Sequence, residues 1–157
     1  MKNNKIKSRK EILAIVKKIK KRNKKVVFTN GCFDLLHAGH IRIFEKAKTL
    51  GDVLIVGVNS DKSIKELKGP KRPIVHDKYR AEIIASIQYV DYVTIFNERS
   101  VIQLVKEIHP DVLVKGGHYT VKEVVGWQYA EKVARVPVVK DSSTTNIINK
   151  ITDVYGK

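Results

Sequence analysis

A doubly wound α/β fold on a single five-stranded parallel sheet is predicted for this chain. Short apolar runs rich in β-branched residues recur along it, and segments with helical apolar spacing fall between them. A strand without polar alternation must be covered on both faces, and helical crossovers supply that cover. Gly31, Gly51 and Pro110 stand where strands or helices have to end.

The elements follow in order. Ser8 and Glu11 form a capping box, with Ile12, Leu13, Val16 and Ile19 at helical spacing behind it, so an amphipathic helix is expected at about 8–22. Residues 25–29 are a buried strand that Asn30-Gly31 turns sharply. A helix over 38–50 presents Ile41, Phe44 and Ala47 on one face, and 52–58 repeats the buried-strand pattern. A weaker segment, 62–67, leads into a lysine- and proline-rich loop at 68–73. A helix over 77–88, a strand over 91–96, a helix over 100–108 and a strand over 111–114 come next. A helix over 122–134, a strand over 136–139 and a last helix from Ser143 or Thr144 complete the expectation. Sheets of this kind bind ligands at the carboxyl ends of their strands where the winding reverses. The exits of the first and fourth strands and the third crossover are therefore the places to look for chemistry.

At 157 residues and 43% hydrophobic composition, one domain spanning 1–157 with one core is expected. No run approaches the roughly 18 apolar residues a bilayer requires, and the basic opening has no apolar signal segment behind it, so a cytoplasmic protein without membrane partners is expected. The single cysteine, Cys32, excludes an internal disulfide and a thiolate zinc cluster. With 31 Lys plus Arg against 16 Asp plus Glu, the net charge of +15 favours anionic partners. Nucleic acid is disfavoured, because the excess is mostly lysine and few aromatics interleave it as stacking platforms. A solvated lysine surface accounts for the charge, and a phosphate-rich small substrate benefits from the same field.

Chemistry concentrates after the first strand, in Asn30-Gly31-Cys32-Phe33-Asp34 followed by His37-Ala38-Gly39-His40. Two imidazoles at a helix N-terminus donate to phosphate oxygens where backbone N–H groups and the dipole already favour anions. Gly39 lets a phosphate approach the backbone. Neither a Walker loop nor a G-x-G-x-x-G fingerprint occurs. Ser143, Thr144 and Thr145 offer three hydroxyls at the last helix start, suited to ordinary capping or to a second hold on phosphate.

The G-x-F-D and H-x-G-H strings resemble those of the cytidylyltransferase-like nucleotidyltransferases, and Ser143-Thr144-Thr145 resembles their S-T-T motif. The resemblance implies a Rossmann-like nucleotidyltransferase fold with strand order 3-2-1-4-5 and reaction at the α-phosphorus of a nucleoside triphosphate. Within that superfamily the chain is similar to the heptose 1-phosphate adenylyltransferases. The matching strings are Val58-Asn59-Ser60-Asp61, Leu67-Lys68-Gly69 with Arg72-Pro73, and the run from Asp111 to Tyr119. His118 replaces a more usual Asp, and Val125-Gly126-Trp127-Gln128-Tyr129 departs from the relatives' small-residue versions. No kinase half accompanies the chain, so a separate protein is expected to supply the heptose 1-phosphate.

What the resemblance implies for the site is as follows. ATP is the co-substrate, with Mg2+ bridging triphosphate oxygens and a sugar phosphate as acceptor. His37, His40, Lys68 and Lys71 are the expected catalytic residues. Asn30, Gly31, Cys32, Phe33, Asp34, Gly39, Ser143, Thr144 and Thr145 are expected at the nucleotide, and Arg72, Arg80, Lys115, Gly116, Gly117, His118 and Tyr119 at the acceptor. Asp34 is a candidate for the magnesium shell, for orienting a histidine, or for capping a turn. Cys32 is expected to pack rather than to react. A homodimer is the expected assembly. The alternatives are a cytidylyltransferase acting on a polyol phosphate, although the R-T-x-G string of glycerol 3-phosphate enzymes is missing before Ser143, and a non-catalytic basic binding domain.

Overall fold

The computed structural model describes residues 4–137 and 143–156. Five parallel strands form one sheet in the order β3-β2-β1-β4-β5. They are β1 (Val26–Gly31), β2 (Val53–Asn59), β3 (Tyr92–Phe96), β4 (Val112–Gly116) and β5 (Lys132–Val136). The helices are α1 (Arg9–Lys21), α2 (Ala38–Lys48), α3 (Asp61–Lys68), α4 (Asp77–Ala85), α5 (Ile102–Ile108) and α6 (Thr144–Tyr155). Fold class and strand order are those expected, and so is the Ser8–Glu11 capping box, which is formed at the start of α1.

The central strands are buried on both sides. Val27, Leu54, Val56 and Val58 pack with Phe44 and Ala47 of α2 and with Ala81, Ile84 and Ala85 of α4. Val26, Phe28 and Ile55 face the other way, onto Ile12 and Val16 of α1 and Leu104, Val105 and Ile108 of α5. The contiguous apolar runs in the sequence are thus period-two strands with both faces occupied.

Aspartates stand just before three strands and close the amino edge of the sheet. Asp52 accepts from the Lys25 N–H at 2.8 Å, Asp91 from that of Leu54 at 2.7 Å and Asp111 from that of Val26 at 2.6 Å. Residues 5–7 lie along the outer edge of β3: Ile6 bridges Val93 in parallel, and the Lys7 N–H donates to the Val93 carbonyl at 2.9 Å. That pairing carries no apolar signal in the sequence.

One stretch departs from expectation. Residues 122–134 are not a helix but two 3₁₀ turns, Val121–Glu123 and Trp127–Tyr129, followed directly by β5. Gly126 between them has a φ of 89°, and a Cβ there would lie 2.9 Å from that of Val105. Apolar residues at helical spacing are therefore interrupted by a left-handed residue whose missing side chain lets the loop rest on α5. The last strand lies before Pro137, which has no N–H to donate to a ladder, rather than at 136–139; of that expected range, 138 and 139 fall outside the described residues, as do 140–142.

Candidate active site

The carboxyl ends of β1, β2 and β4 open into a cleft of about 820 Å³. It lies where the winding reverses between β1 and β4. Its walls bring together Asn30, Gly31, Cys32, Phe33, Asp34 and His40 from the first motif, Lys68 and Arg72 from the loop after α3, Lys115, Gly116 and Tyr119 from the exit of β4, and Thr144 from the start of α6.

The turn out of β1 is tight. Phe33 holds a left-handed backbone, φ 47°, which is uncommon for an aromatic residue and marks stored strain at a site. Burial of its ring offsets that cost. The ring stands edge-on to His40 at 5.1 Å between centroids and against Phe44 at 5.3 Å. It crowds Gly31, where a Cβ would sit 3.0 Å from the ring and the ring would have to shift. Packing thus orients the imidazole that the first motif supplies.

His37 is the N-cap of α2, and its ring stacks on that of His40 at 3.8 Å. The His37 N–H donates to His40 Nδ1 at 3.4 Å. With Nδ1 accepting, the neutral ring carries its proton on Nε2, as a donor. Burial, then the neighbouring His37 and Lys68, lower the His40 pKa to about 4, and burial also lowers that of His37. Gly39 is buried within the first turn of α2.

Asp34 is 3% exposed and already engaged. One carboxylate oxygen accepts from Arg72 Nε at 2.6 Å, and the other from the N–H groups of Ile74 and Val75 at 2.8 and 2.9 Å. Its contacts are those of a turn-capping carboxylate that fixes the loop over the cleft. Among the described residues no three His, Cys, Asp or Glu side chains gather as a metal site. The donor set does not make a protein cage for Mg2+, so such an ion would be held mainly by substrate phosphate oxygens.

Arg80 corrects an expectation. Its side chain is wholly buried, donating to the carbonyls of Val75 at 2.8 Å, Cys32 at 2.5 Å and Asn59 at 2.7 Å and to Asp61 at 2.8 Å. It braces the exits of β1 and β2 and does not reach the cleft that was expected to use it. Lys115 is the cation on the floor. Its ammonium lies 3.3 Å from the Asn30 carbonyl, and burial lowers its pKa.

The remaining expected residues divide. Thr144 lines the cleft, its hydroxyl 3.3 Å from the Leu35 carbonyl beside the histidine motif. Ser143 caps α6 by accepting from the Asn146 N–H at 3.0 Å, and Thr145 is exposed. Neither lines the cleft, and neither do His37, Gly39, Lys71, Gly117 and His118. Gly117 shapes the turn at φ 129°, where the Tyr119 ring crosses over it.

Cleft residues that sequence reasoning did not name include Arg99, Ser100, Val101, Glu123 and Val124. Arg99 to Val101 follow β3, and position at the carboxyl end of a strand was the one signal that pointed to them.

The profile described as Cytidylyltransferase-like matches residues 28–153, from within β1 into α6. The chain belongs to the cytidylyltransferase-like family. Among this family member's relatives, the "Bifunctional protein HldE" of a Nitratiruptor species is 53% identical over 146 residues, 93% of this chain and 32% of that protein. The protein of the same name from Geobacter metallireducens is 48% identical over 157 residues, 98% of this chain and 32% of that protein. The chain spans about a third of the length of these curated relatives. Among solved structures, the lipopolysaccharide core biosynthesis protein from Thermoplasma volcanium superposes with a TM-score of 0.61 at 29% identity, over 74% of this chain and 98% of that one. Pantoate-beta-alanine ligase from Francisella tularensis shares the fold, with a TM-score of 0.63 at 18% identity, over 97% of this chain and 79% of that one.

Proposed function

We propose that this cytidylyltransferase-like chain is an adenylyltransferase. It moves AMP from ATP to the phosphate of a sugar 1-phosphate, D-glycero-D-manno-heptose 1-phosphate, giving ADP-heptose and pyrophosphate. The observation that carries the reading is the meeting of His40 and Thr144, from opposite ends of the chain, in one cleft. Family membership supports nucleotidyl transfer, and the strings around Asn59 and from Asp111 to Tyr119 support the heptose acceptor.

In the proposed reaction an oxygen of the acceptor phosphate attacks the α-phosphorus in line. The new P–O bond forms as the bond to the bridging β-phosphate oxygen breaks, and pyrophosphate leaves with that electron pair. A phosphate monoester has its second pKa near ~6 and is largely ionised at neutral pH, so the attacking oxygen needs no strong base. The protein's part is alignment and a fixed field. Neutral His40 donates from Nε2 to a phosphoryl oxygen as negative charge develops on it. Lys68 on one wall and Lys115 on the floor oppose the same charge. At the start of α6, backbone N–H groups and the Thr144 hydroxyl hold the leaving phosphates. Bound with the triphosphate, Mg2+ supplies further charge neutralisation.

The test is a screen of pyrophosphate release from ATP and CTP against a panel of sugar 1-phosphates and polyol phosphates. Fastest turnover is expected with ATP and the heptose 1-phosphate; CTP with a polyol phosphate would overturn the reading. The proposed homodimer has a candidate surface on α6, where Ile151, Val154 and Tyr155 are exposed, and sedimentation velocity measures it.

A further inference from the structure

Four lysine and arginine side chains line the cleft, and the reaction above leaves one of them unused. Lys68 and Lys115 serve phosphate, and Arg72 is paired with Asp34. Arg99 has no hydrogen bond or ion pair among the described residues, although it faces the same space.

The loop that carries it is pinned. Next to Arg99, Glu98 pairs with Arg9 of α1, and Arg9 also bonds Glu107 of α5 at 2.6 Å. The Glu98 carbonyl accepts from the Ser63 hydroxyl at 2.8 Å, and the Phe96 carbonyl accepts from the Ser60 N–H at 2.9 Å. Contacts from α1, α3 and the end of β2 therefore hold a loop whose cation is uncommitted. A guanidinium on an ordered backbone keeps its five donors in a fixed fork and loses little freedom when it binds.

Its place in the fold selects what it meets. β3 is two strands from β1, roughly 10 Å along the carboxyl edge at the usual spacing between strands. The histidines stand on the α2 side of the sheet, whereas Val101 and Val124, beside Arg99 in the cleft wall, belong to the α1–α5 side. Arg99 is thus set away from the transferred phosphoryl group, next to an apolar wall of Val101, Val124 and Val125. That pairing of an apolar surface with a forked donor suits the C–H face and hydroxyl oxygens of a sugar.

We propose that Arg99 is a specificity-determining residue that binds the sugar end of the acceptor, away from its reacting phosphate. The assignment rests on the adenylyl-transfer reading of the cleft.

Steady-state kinetics of the Arg99→Ala and Arg99→Lys proteins, with ATP and the best sugar 1-phosphate from the screen, test it. Arg99 is exposed, and thermal melting checks that both variants remain folded. In Arg99→Ala the acceptor KM is expected to rise about tenfold or more, the usual loss for a hydrogen bond to a charged group, while the ATP KM stays within twofold (~0.4 kcal/mol). Lysine is expected to recover only part of this, lacking the fork. An ATP KM that rises in parallel would assign Arg99 to the nucleotide and overturn the proposal, as would an unchanged acceptor KM. Wild-type protein that turns over no sugar phosphate with any triphosphate would instead defeat the parent reading, so the two failures are distinguishable.

Discussion

The two edges of the sheet face the same physical problem and answer it with opposite charge. At the amino edge, strand N–H groups without ladder partners are accepted by the carboxylates of Asp52, Asp91 and Asp111. At the carboxyl edge the unmatched groups are carbonyls, and cations cover them: Arg80 on Asn59 and Cys32, Lys115 on Asn30. Buried backbone polar groups must be paired in either case. The amino edge ends there. At the other edge Lys115, with Lys68 beside it, also places positive charge in the cleft, whereas Arg80 is paired with Asp61 beneath it. In the proposed reaction Lys115 both satisfies the backbone and attracts phosphate, a coupling that the carboxylate edge does not make.

The largest expected effect tests the cationic edge itself. Arg80→Met removes a wholly buried guanidinium, leaving the carbonyls of Val75, Cys32 and Asn59 without that donor and Asp61 without its buried counter-charge. A loss of about 4 kcal/mol in unfolding free energy is expected, read from urea denaturation. Next comes the donor held above that edge. His40→Ala is expected to lower turnover about a hundredfold, near 3 kcal/mol in the barrier, with melting temperature little changed; near-normal turnover at saturating substrates would remove His40 from the transition state. The opposite edge is expected to respond differently. Asp111→Ala leaves the Val26 N–H buried and unpaired, which should cost about 2 kcal/mol of stability while turnover of the folded enzyme is retained.

The last effect is electrostatic and sharpens the same contrast. His40 titrates at about 4 in the folded chain, below the ordinary imidazole value of about 6.5, because burial and its cationic neighbour disfavour the charged ring. Between these values the unfolded chain binds the extra proton, so the contribution is complete above about 6.5 and is lost as pH falls toward 4. The wild type is expected to lose stability over that window more steeply than His40→Gln, in denaturant melts at matched ionic strength. Bound triphosphate should raise the same pKa, so calorimetry in buffers of different ionisation enthalpy should detect proton uptake on ATP binding near pH 5. Equal slopes in the two proteins would show that His40 is not the group titrating.

Much of the fold is legible in the sequence because its signals are local. Apolar runs opened by Asp52, Asp91 and Asp111 mark three strands, and Ser8 with Glu11 marks the first helix. The segment 122–134 misleads because the pairs Val124–Trp127 and Tyr129–Val133 each fall at helical spacing, while the cause of the break, Gly126 resting on Val105, lies in another element. In the site, the histidine motif and Thr144 are visible as strings. Arg80 reads as a substrate cation because a sequence records its charge but not the carbonyls around it. Arg99 goes unnamed for the converse reason: nothing beside it in the chain distinguishes it from a solvated arginine.

By itself, then, the sequence determined a doubly wound parallel sheet, the family, and the two motifs suited to phosphate, since each depends on spacing or on residue types close together in the chain. Only the tertiary structure decided which cations are free to meet a ligand. Arg80 is consumed by the backbone, Arg72 by Asp34, and Arg99 by nothing among the described residues, and these outcomes depend on partners that folding brings from distant strands.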